Sequence, residues 1–467
     1  MVAISRAQRA ALGRQARDIR QACEHQGMGA PQVAEVILQQ MPCIHPLEAW
    51  RLARGWSRAR AVDELVALYE AEGRPAPAVN TVMLCRWEHA AVGISPDYRN
   101  MLCRLYCVSP DQMDPGGAMT APGETPQRHQ SVTGSDGAVT LDERYDEGDP
   151  MRRRTLLTAA GLSVPLSLLQ RLDDALAIPL QPGRPIEPAQ LAHLLRQART
   201  QFDASALTAL LAALPGLLAL ARKTAETTGT PATWAILSAS YNLATDTLNK
   251  IGSKAPARLT ADRATLYAER SEDAAVKGAS ARALGMMLRT EGRPDLAAAV
   301  MNKGIDELTA TGLRKTAEAA THLRLLCARA YTYAWAGDRP RALEGIAEAE
   351  HAVARIPAMR PFATLYRVDI HYALGDAGTA LHAARSLRTD MYRTPERRGR
   401  LHTDLARAWW QWGKPEQATA ELLTAYQHAP AEVRDRPSIR KMTAELAERH
   451  PRVAGVRHLA VLTSSSA

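Results

Sequence analysis

Apolar residues are distributed unevenly along the chain, and their distribution divides it into two helical parts. Between Ser109 and Pro150 the sequence is rich in Gly, Pro, Thr, Ser and acidic residues and has little to bury. Burial in such a segment cannot compensate the entropy lost on folding, so residues 116–150 are predicted to form a disordered linker. The parts on either side contain many helix-forming residues, which predicts an all-α fold.

The first part begins with residues 1–44, which are rich in arginine and are predicted to form an N-terminal helical arm. A domain over residues 45–115 follows. Its first helix is predicted over Pro46–Arg54 and ends before a glycine. Ser57 can cap a second helix over Arg58–Glu72, because its hydroxyl can accept a hydrogen bond from a free backbone N–H of the first turn.

Two further helices complete this domain. Asn80 can cap a third helix that runs through Glu88, and a last helix is predicted around Asp97–Tyr106. Glu88 is predicted to form a structural ion pair. The predicted core consists of the apolar residues Trp50, Leu65, Leu84, Trp87 and Leu102.

The second part shows internal repetition, in which a helical stretch, a glycine turn and a second helix recur. An alanine follows each turn glycine by five residues. The pairs are Gly292 and Ala297, Gly337 and Ala342, Gly375 and Ala380, and Gly413 and Ala418. Glycine supplies a left-handed turn, and alanine allows the second helix to pack closely on the first. A weaker copy turns at Gly252.

These repeats resemble the tetratricopeptide repeat, a helix–turn–helix unit that stacks into a superhelix. The resemblance implies that residues 151–467 form a helical repeat domain of about five to six units. Repeat arrays of this kind usually bind partners and rarely catalyse reactions.

The segments "LARGWS", "RWEHA" and "SPDYRNMLCRLY" of the first part resemble the Cro/C1-type helix-turn-helix. With the repeats, the chain is similar to actinomycete regulators that carry a C-terminal tetratricopeptide array. The resemblance implies that the third helix lies in the major groove of double-stranded DNA. Carried over residue by residue, the DNA-binding positions are Arg58, Asn80, Thr81, Val82, Cys85 and Arg86. Arg58 and Asn80 would contact phosphate, and Arg86 would reach guanine edges.

Net charge limits this interpretation. The chain carries +9, of which residues 1–115 carry only +1, residues 116–150 carry −5 and residues 151–467 carry +13. Non-specific DNA affinity comes from phosphate neutralisation, so a near-neutral domain should bind weakly as a monomer. A homodimer is therefore expected, or help from N-terminal arginines such as Arg6 and Arg9. The alternative is a protein-interaction scaffold whose helix-turn-helix no longer reads DNA.

In a tetratricopeptide superhelix the first helix of each repeat lines the concave face. Transferred to this chain, the groove residues are Asn242, Asp246, Asn249, Arg282, Met286, Arg289, Arg324, Tyr331, Trp335, Asp369, Tyr372, Arg400, Arg407 and Trp410. Asparagines can clamp a peptide backbone, and arginines pair with carboxylates or phosphates. Together with the basic charge, this set indicates an acidic small signal molecule or peptide. Packing between repeats is the alternative role for these side chains.

The stretch "MRRRTLLTAAGLSVPLSLL", Met151–Leu169, reads like a twin-arginine export signal. It follows a helical domain and a linker, however, and its apolar portion contains Pro165 and is too short to span a membrane. It is predicted to be an amphipathic helix packed on the first repeats. No apolar run reaches the length of a membrane span, and a cytoplasmic location without membrane contact is expected.

The candidate chemistry is sparse. The pairs Cys103 with Cys107 and Cys85 with His89 have helical spacing, but their apolar neighbours favour core thiols over a metal site. No phosphate-binding loop, metal-binding histidine pair or nucleophile elbow occurs. We therefore expect no enzyme, metal or cofactor. The leading prediction is a DNA-binding transcriptional regulator whose array senses a ligand or mediates oligomerisation.

Overall fold

The structure is a computed structural model, and it describes residues 6–89, 93–113, 164–178, 180–181 and 184–464. Across these ranges every regular element is a helix and no strand occurs, which confirms the predicted all-α class. The predicted linker, 116–150, and residues 151–163 lie outside the described residues.

Seven helices form the N-terminal unit. They are α1 (Arg6–His25), α2 (Ala30–Gln40), α3 (Pro46–Ala53), α4 (Arg58–Ala71), α5 (Thr81–Glu88), α6 (Pro96–Tyr106) and α7 (Pro110–Met113). The predicted caps are confirmed: Ser57 Oγ accepts from the Arg60 amide at 3.1 Å, and Asn80 Oδ1 accepts from the Met83 amide at 2.9 Å. Helix α3 ends before Gly55, which adopts φ +68°.

One hydrophobic core joins all seven helices. The predicted core residues Trp50, Leu65, Leu84, Trp87 and Leu102 are all buried in it. Helices α1 and α2 add Ala16, Cys23, Val33, Ala34 and Ile37 to the same core. Residues 6–44 are therefore packed with the helices that follow, and no break in packing separates them at residue 45.

Sixteen helices are described after the linker, and they form the array. They are α8 (Leu166–Ala177), α9 (Pro188–Asp203), α10 (Leu207–Thr228), α11 (Pro231–Lys250), α12 (Lys254–Glu269), α13 (Ala274–Thr290), α14 (Pro294–Ala310), α15 (Thr316–Trp335), α16 (Arg339–Ala352), α17 (Arg360–Ala373), α18 (Ala377–Ala384), α19 (Pro395–Gln411), α20 (Pro415–His428), α21 (Pro430–Arg434), α22 (Pro437–Arg449) and α23 (Val456–Ser464).

From α9 to α20 the helices pack as successive antiparallel hairpins. The predicted turn glycines at 252, 292, 337, 375 and 413 all have φ between +76° and +86°. The alanines five residues after the last four of them, at 297, 342, 380 and 418, are fully buried. The repeat pattern in the sequence therefore corresponds to real hairpins, because each glycine closes a turn and each alanine lies where two helices approach.

The first helices of neighbouring hairpins, α9, α11, α13, α15, α17 and α19, pack side by side, and we call the surface they share the inner surface. The end of the array returns to its beginning. Lys250 Nζ on α11 lies 2.7 Å from Glu396 Oε1 on α19 and also pairs with Glu432, and α9 contacts α19. The inner surface therefore encloses a common interior.

Of Met151–Leu169, the structure describes only residues 164–169, so the predicted amphipathic helix stays a prediction. Pro165 precedes α8, which buries Leu172 and Leu176, beyond this segment, against the first hairpin. Arg263 Nη2 donates to the Leu176 carbonyl at 2.9 Å and holds the end of α8 in place.

Helix α10 corrects one expectation. By length and composition it is apolar enough to cross a membrane, because Pro215 and the glycine after it do not interrupt the helix. In the structure, 56% of its most apolar window is buried inside the protein. Leu210, Leu211 and Leu214 are fully buried in the core of the first hairpins. Its apolar character is therefore explained by packing within the array.

Candidate functional site

The predicted DNA-binding residues of α5 share one side of this short helix. Helix α5 buries Met83, Leu84, Trp87 and Glu88 in the N-terminal core. Thr81 and Val82 are exposed, whereas Cys85 and Arg86 are partly buried. We call the surface formed by Thr81, Val82, Cys85 and Arg86 the reading surface. The core residues of α5 thus dictate which side chains face away from the unit.

A buried ion-pair cluster holds the other end of α5. The Glu88 carboxylate is fully buried and pairs with Arg51, and its Oε2 lies 2.6 Å from Arg58 Nε. Arg58 also reaches Glu48 Oε1 at 3.1 Å. Burial lowers the pKa of Arg58, but Glu88 outweighs it and the pKa is raised overall. The predicted ion pair of Glu88 is therefore present, and Arg58, predicted to face phosphate, is engaged within the unit.

The array contacts the reading surface directly. The Arg86 guanidinium lies 4.1 Å above the centre of the Trp410 indole and donates to the Trp410 carbonyl. Asn80 Nδ2 donates to the Trp412 carbonyl at 3.4 Å. Burial lowers the pKa of Arg86 to about 10, so the group stays charged at neutral pH. The array therefore covers one half of the reading surface and leaves Thr81 open.

Three turn glycines of the array receive residues of the N-terminal unit. A Cβ at Gly337 would lie 2.9 Å from Pro96 Cγ, and one at Gly375 would lie 2.7 Å from Tyr98 Cε2. A Cβ at Gly413 would lie 3.0 Å from Val82 Cβ. These distances leave no room for a side chain, so glycine is required here for close approach as well as for the turn. We call these contacts, together with those of Asn80 and Arg86, the docking interface.

A buried polar network reinforces the docking interface. Arg339 Nε lies 2.8 Å from Asp97 Oδ2, and Arg339 Nη1 lies 2.5 Å from Asp376 Oδ2. Tyr98 donates to Asp376 at 2.8 Å, and Ser95 donates to the Leu374 carbonyl at 3.1 Å. Burial alone would raise the pKa of Asp376, but hydrogen bonds from its neighbours hold it below its ordinary value. Asp376 is therefore a charged partner of Arg339.

Sequence reasoning did not identify this network. Arg339 and Asp97 are 242 positions apart, and each lies in an ordinary helix start with no recognisable motif. The only available signal was the run of turn glycines, and that signal indicated hairpins without indicating what packs on them.

The inner surface brings together most of the predicted groove residues, and many of them are paired with one another. Arg282 forms two contacts with Asp246, at 3.2 and 3.3 Å. Arg400 lies 2.6 Å from Asp404 and 3.2 Å from Asp369. The Arg282–Asp246 and Arg400–Asp369 pairs connect neighbouring helices of the array, whereas Arg400–Asp404 lies within α19. They show that part of the predicted groove serves packing between repeats.

The remaining predicted groove residues divide into aromatic and polar groups. Arg289 lies 4.7 Å above the Tyr331 ring, and Arg407 lies 4.2 Å above the Tyr372 ring. Asn242 donates to Ser280 at 3.0 Å. The half-exposed residues Asn249, Met286 and Trp335 and the exposed Arg324 complete the set.

The prediction that Trp410 lines the interior is wrong. It is 8% exposed and lies between Arg86 and His450, whose ring centre is 5.6 Å away. The reason is its place in the last turn of α19, two residues before Trp412 at the edge of the array. Trp410 belongs to the docking interface.

The charged groups of the interior influence each other strongly. Burial and the nearby Asp404 raise the pKa of Asp369 to about 6, despite Arg400 and Arg407. Burial and three neighbouring arginines lower the pKa of Arg324 to about 10, although its side chain is exposed to the interior. The interior is therefore a crowded and mainly cationic environment.

The cysteines and the histidine considered as metal ligands lie in the part of the chain that the structure describes. No group of three or more His, Cys, Asp and Glu side chains with metal-binding proximity occurs there. Cys85 Sγ lies 3.5 Å from His89 Nδ1, and Cys103 is buried as predicted, but Cys107 is exposed. Neither Cys85 with His89 nor Cys103 with Cys107 belongs to such a group among these residues.

No protein-family model and no curated protein matches the chain.

Proposed function

We propose that the protein is a cytoplasmic, DNA-binding transcriptional regulator. In this proposal the N-terminal unit is a helix-turn-helix domain that binds double-stranded DNA as a homodimer. The array is a tetratricopeptide-like superhelix that senses a ligand. The observation that carries the proposal is the orientation of α5: Thr81, Val82, Cys85 and Arg86 all face away from the core of their own unit. A helix that reads base edges must present such a surface.

Docking and DNA binding are mutually exclusive in this proposal. The major groove is about 12 Å wide, and an α-helix with its side chains fills it. The end of α19 occupies the space beside Asn80 and Arg86 that DNA would need. The docked arrangement is therefore an inhibited form, and the array controls DNA binding by releasing the N-terminal unit.

One observation favours the second candidate, a protein-interaction scaffold. Arg86 is engaged by the Trp410 ring and carbonyl, and one of its terminal nitrogens is buried. In a scaffold this arginine would be a permanent structural anchor between the two parts of the chain. The N-terminal unit would then never be released.

The test is selection of bound fragments from high-GC genomic DNA by the full chain, at moderate salt. A released variant, Arg339→Ala, removes the docking network without touching the reading surface. Its control is Arg341→Ala, because Arg341 is exposed and contacts Asp338 and the Tyr333 ring instead of the N-terminal unit. The double variant Arg339→Ala/Arg86→Ala tests base reading by Arg86.

We expect Arg339→Ala to enrich a recurring palindromic site at least tenfold over the wild type and Arg341→Ala. The added Arg86→Ala change should remove that enrichment. If the N-terminal unit of Arg339→Ala is released from the array yet enriches no DNA site, the DNA-binding function is contradicted. The protein-interaction scaffold is then the better-supported function. Equal enrichment by wild type and Arg339→Ala would contradict the inhibited form.

A further inference from the structure

The interior of the array contains two guanidinium groups without a carboxylate partner. Arg289 on α13 hydrogen-bonds Thr332 Oγ1 at 3.4 Å, and Arg324 on the adjacent α15 is exposed to the interior. Among the described residues, no carboxylate lies within ion-pair distance of either. Both belong to the set that the sequence placed on the inner surface.

Other basic residues of the interior have carboxylate partners. Arg282 pairs with Asp246, Arg400 pairs with Asp404, and Lys250 pairs with Glu396 and Glu432. The acidic side chains of the inner surface are thus already engaged. Arg289 and Arg324 keep their positive charge without such a partner among the described residues.

The surroundings of Arg289 and Arg324 disfavour their charged forms. Burial lowers the pKa of Arg324, and repulsion by Arg282, Arg397 and Arg199 lowers it further. Burial likewise lowers the pKa of Arg289, with Arg400 contributing. Cations that repel each other in a partly enclosed space raise the free energy of the empty site, and a bound anion relieves that repulsion.

The aromatic residues of the interior orient these groups. The Tyr331 ring supports the Arg289 guanidinium at 4.7 Å and meets the Tyr366 ring edge to face at 6.4 Å. Burial raises the pKa of Tyr366, and the nearby Arg282, Arg400 and Arg289 oppose this rise. A stacked guanidinium keeps its planar donors free for phosphate or carboxylate oxygens.

We propose that the inner surface binds a small molecule with at least two anionic groups, phosphate or carboxylate, between Arg289 and Arg324. The inference deepens the proposed function, because it names the ligand class of the sensing array. A main-chain peptide clamp is less well supported, since the Asn242 amide is already bonded to Ser280.

Helix α15 connects this site to the docking interface. It carries Arg324 and leads directly into the turn at Gly337, which receives Pro96 of the N-terminal unit. An anion that draws α13 and α15 together would shift this turn and weaken docking.

The test is isothermal titration of the full chain, without DNA, with inorganic tripolyphosphate in one arm and citrate in the other. The variant is Arg289→Gln/Arg324→Gln. Its control is Arg385→Gln, an exposed arginine at the end of the outer helix α18. We expect saturable binding of at least one probe, weakened a hundredfold or more in the double variant, at roughly tenfold per charge-assisted contact.

Binding of tripolyphosphate alone identifies a phosphate ligand, and binding of citrate alone identifies a carboxylate ligand. Absence of saturable binding to both probes overturns the proposal, and so does an equal loss in Arg385→Gln. If the double variant does not fold, the single variant Arg324→Gln carries the test, because its side chain is exposed. The titration contains no DNA and therefore tests anion binding separately from DNA binding. If the protein binds anions but selects no DNA fragments, only the proposed DNA-binding function is contradicted.

Discussion

At the scale of single residues, buried charges determine the local architecture. Glu88 has no solvent exposure and is shared by Arg51 and Arg58, which ties α3 and α4 to the end of α5. The helix-turn-helix resemblance of the sequence implied a structural ion pair for Glu88. It could not identify both arginines, since three helices must assemble before they meet.

Replacement of Glu88 by Gln should destabilise the N-terminal unit. Arg51 and Arg58 would keep only Glu48 as a counter-charge, and breaking a buried pair costs about 3 kcal/mol. Hydrogen exchange of the α5 amides should show this loss. The control is Glu64→Gln, because the Arg60–Glu64 pair is exposed and contributes less than about 1 kcal/mol. Similar losses in both variants would contradict the role of the buried cluster.

The carboxylates Asp369 and Asp404 should respond to pH in opposite directions. Burial and Asp404 raise the pKa of Asp369 to about 6, so its charge destabilises the fold as pH rises through 6. Burial opposes the charge of Asp404 too, but Arg400 and Arg436 outweigh it and lower its pKa, so its charge stabilises the fold above its ordinary pKa.

Melting temperatures between pH 5 and 7.5 measure the difference. Relative to the wild type, Asp369→Asn should gain stability as pH rises across this window. Asp404→Asn should stay destabilised across all of it. A constant offset for Asp369→Asn would refute the raised pKa.

At the scale of elements, α5 is a short helix whose position depends on the residue that caps it, Asn80. Asn80 both caps α5 through Met83 and donates to the Trp412 carbonyl. The cap was predictable, because it requires only residues three positions apart. The contact with Trp412 was not, because it joins residues 332 positions apart.

Two substitutions separate these roles of Asn80. Asn80→Ala removes the cap and should reduce the protection of α5 by about 1 kcal/mol. Asn80→Asp keeps a capping oxygen but loses the amide donor, so it should preserve α5 and reduce protection only in residues 410–414. Hydrogen exchange distinguishes the two. Loss of α5 protection in Asn80→Asp would disprove the separation.

At the scale of the whole molecule, the docking interface joins two separately packed parts. Its charged centre is Arg339, which lies between Asp97 and Asp376 and is 8% exposed. Glycine turns from three hairpins accept Pro96, Tyr98 and Val82 beside it. The array thus uses its repeated turns as a regular row of contact points.

Arg339→Ala should release the N-terminal unit. It leaves the buried Asp376 without its arginine and Asp97 with Arg74 alone, at a cost of about 3 kcal/mol to docking. Small-angle scattering should then show a larger radius of gyration, while Arg341→Ala should scatter like the wild type. If the radius of gyration of Arg339→Ala equals that of the wild type, the central role of this network is contradicted.

The sequence by itself determined the features that depend on neighbouring residues. The Ser57 and Asn80 caps, the turn glycines and the buried alanines of the hairpins were all readable, because each acts within one or two helical turns. Only the tertiary structure decided that α1 and α2 share the N-terminal core and that Trp410 contacts Arg86 instead of lining the interior. Only the tertiary structure showed that Arg289 and Arg324 lack carboxylate partners. These outcomes depend on which distant surfaces meet, and that is set by the packing of the whole array.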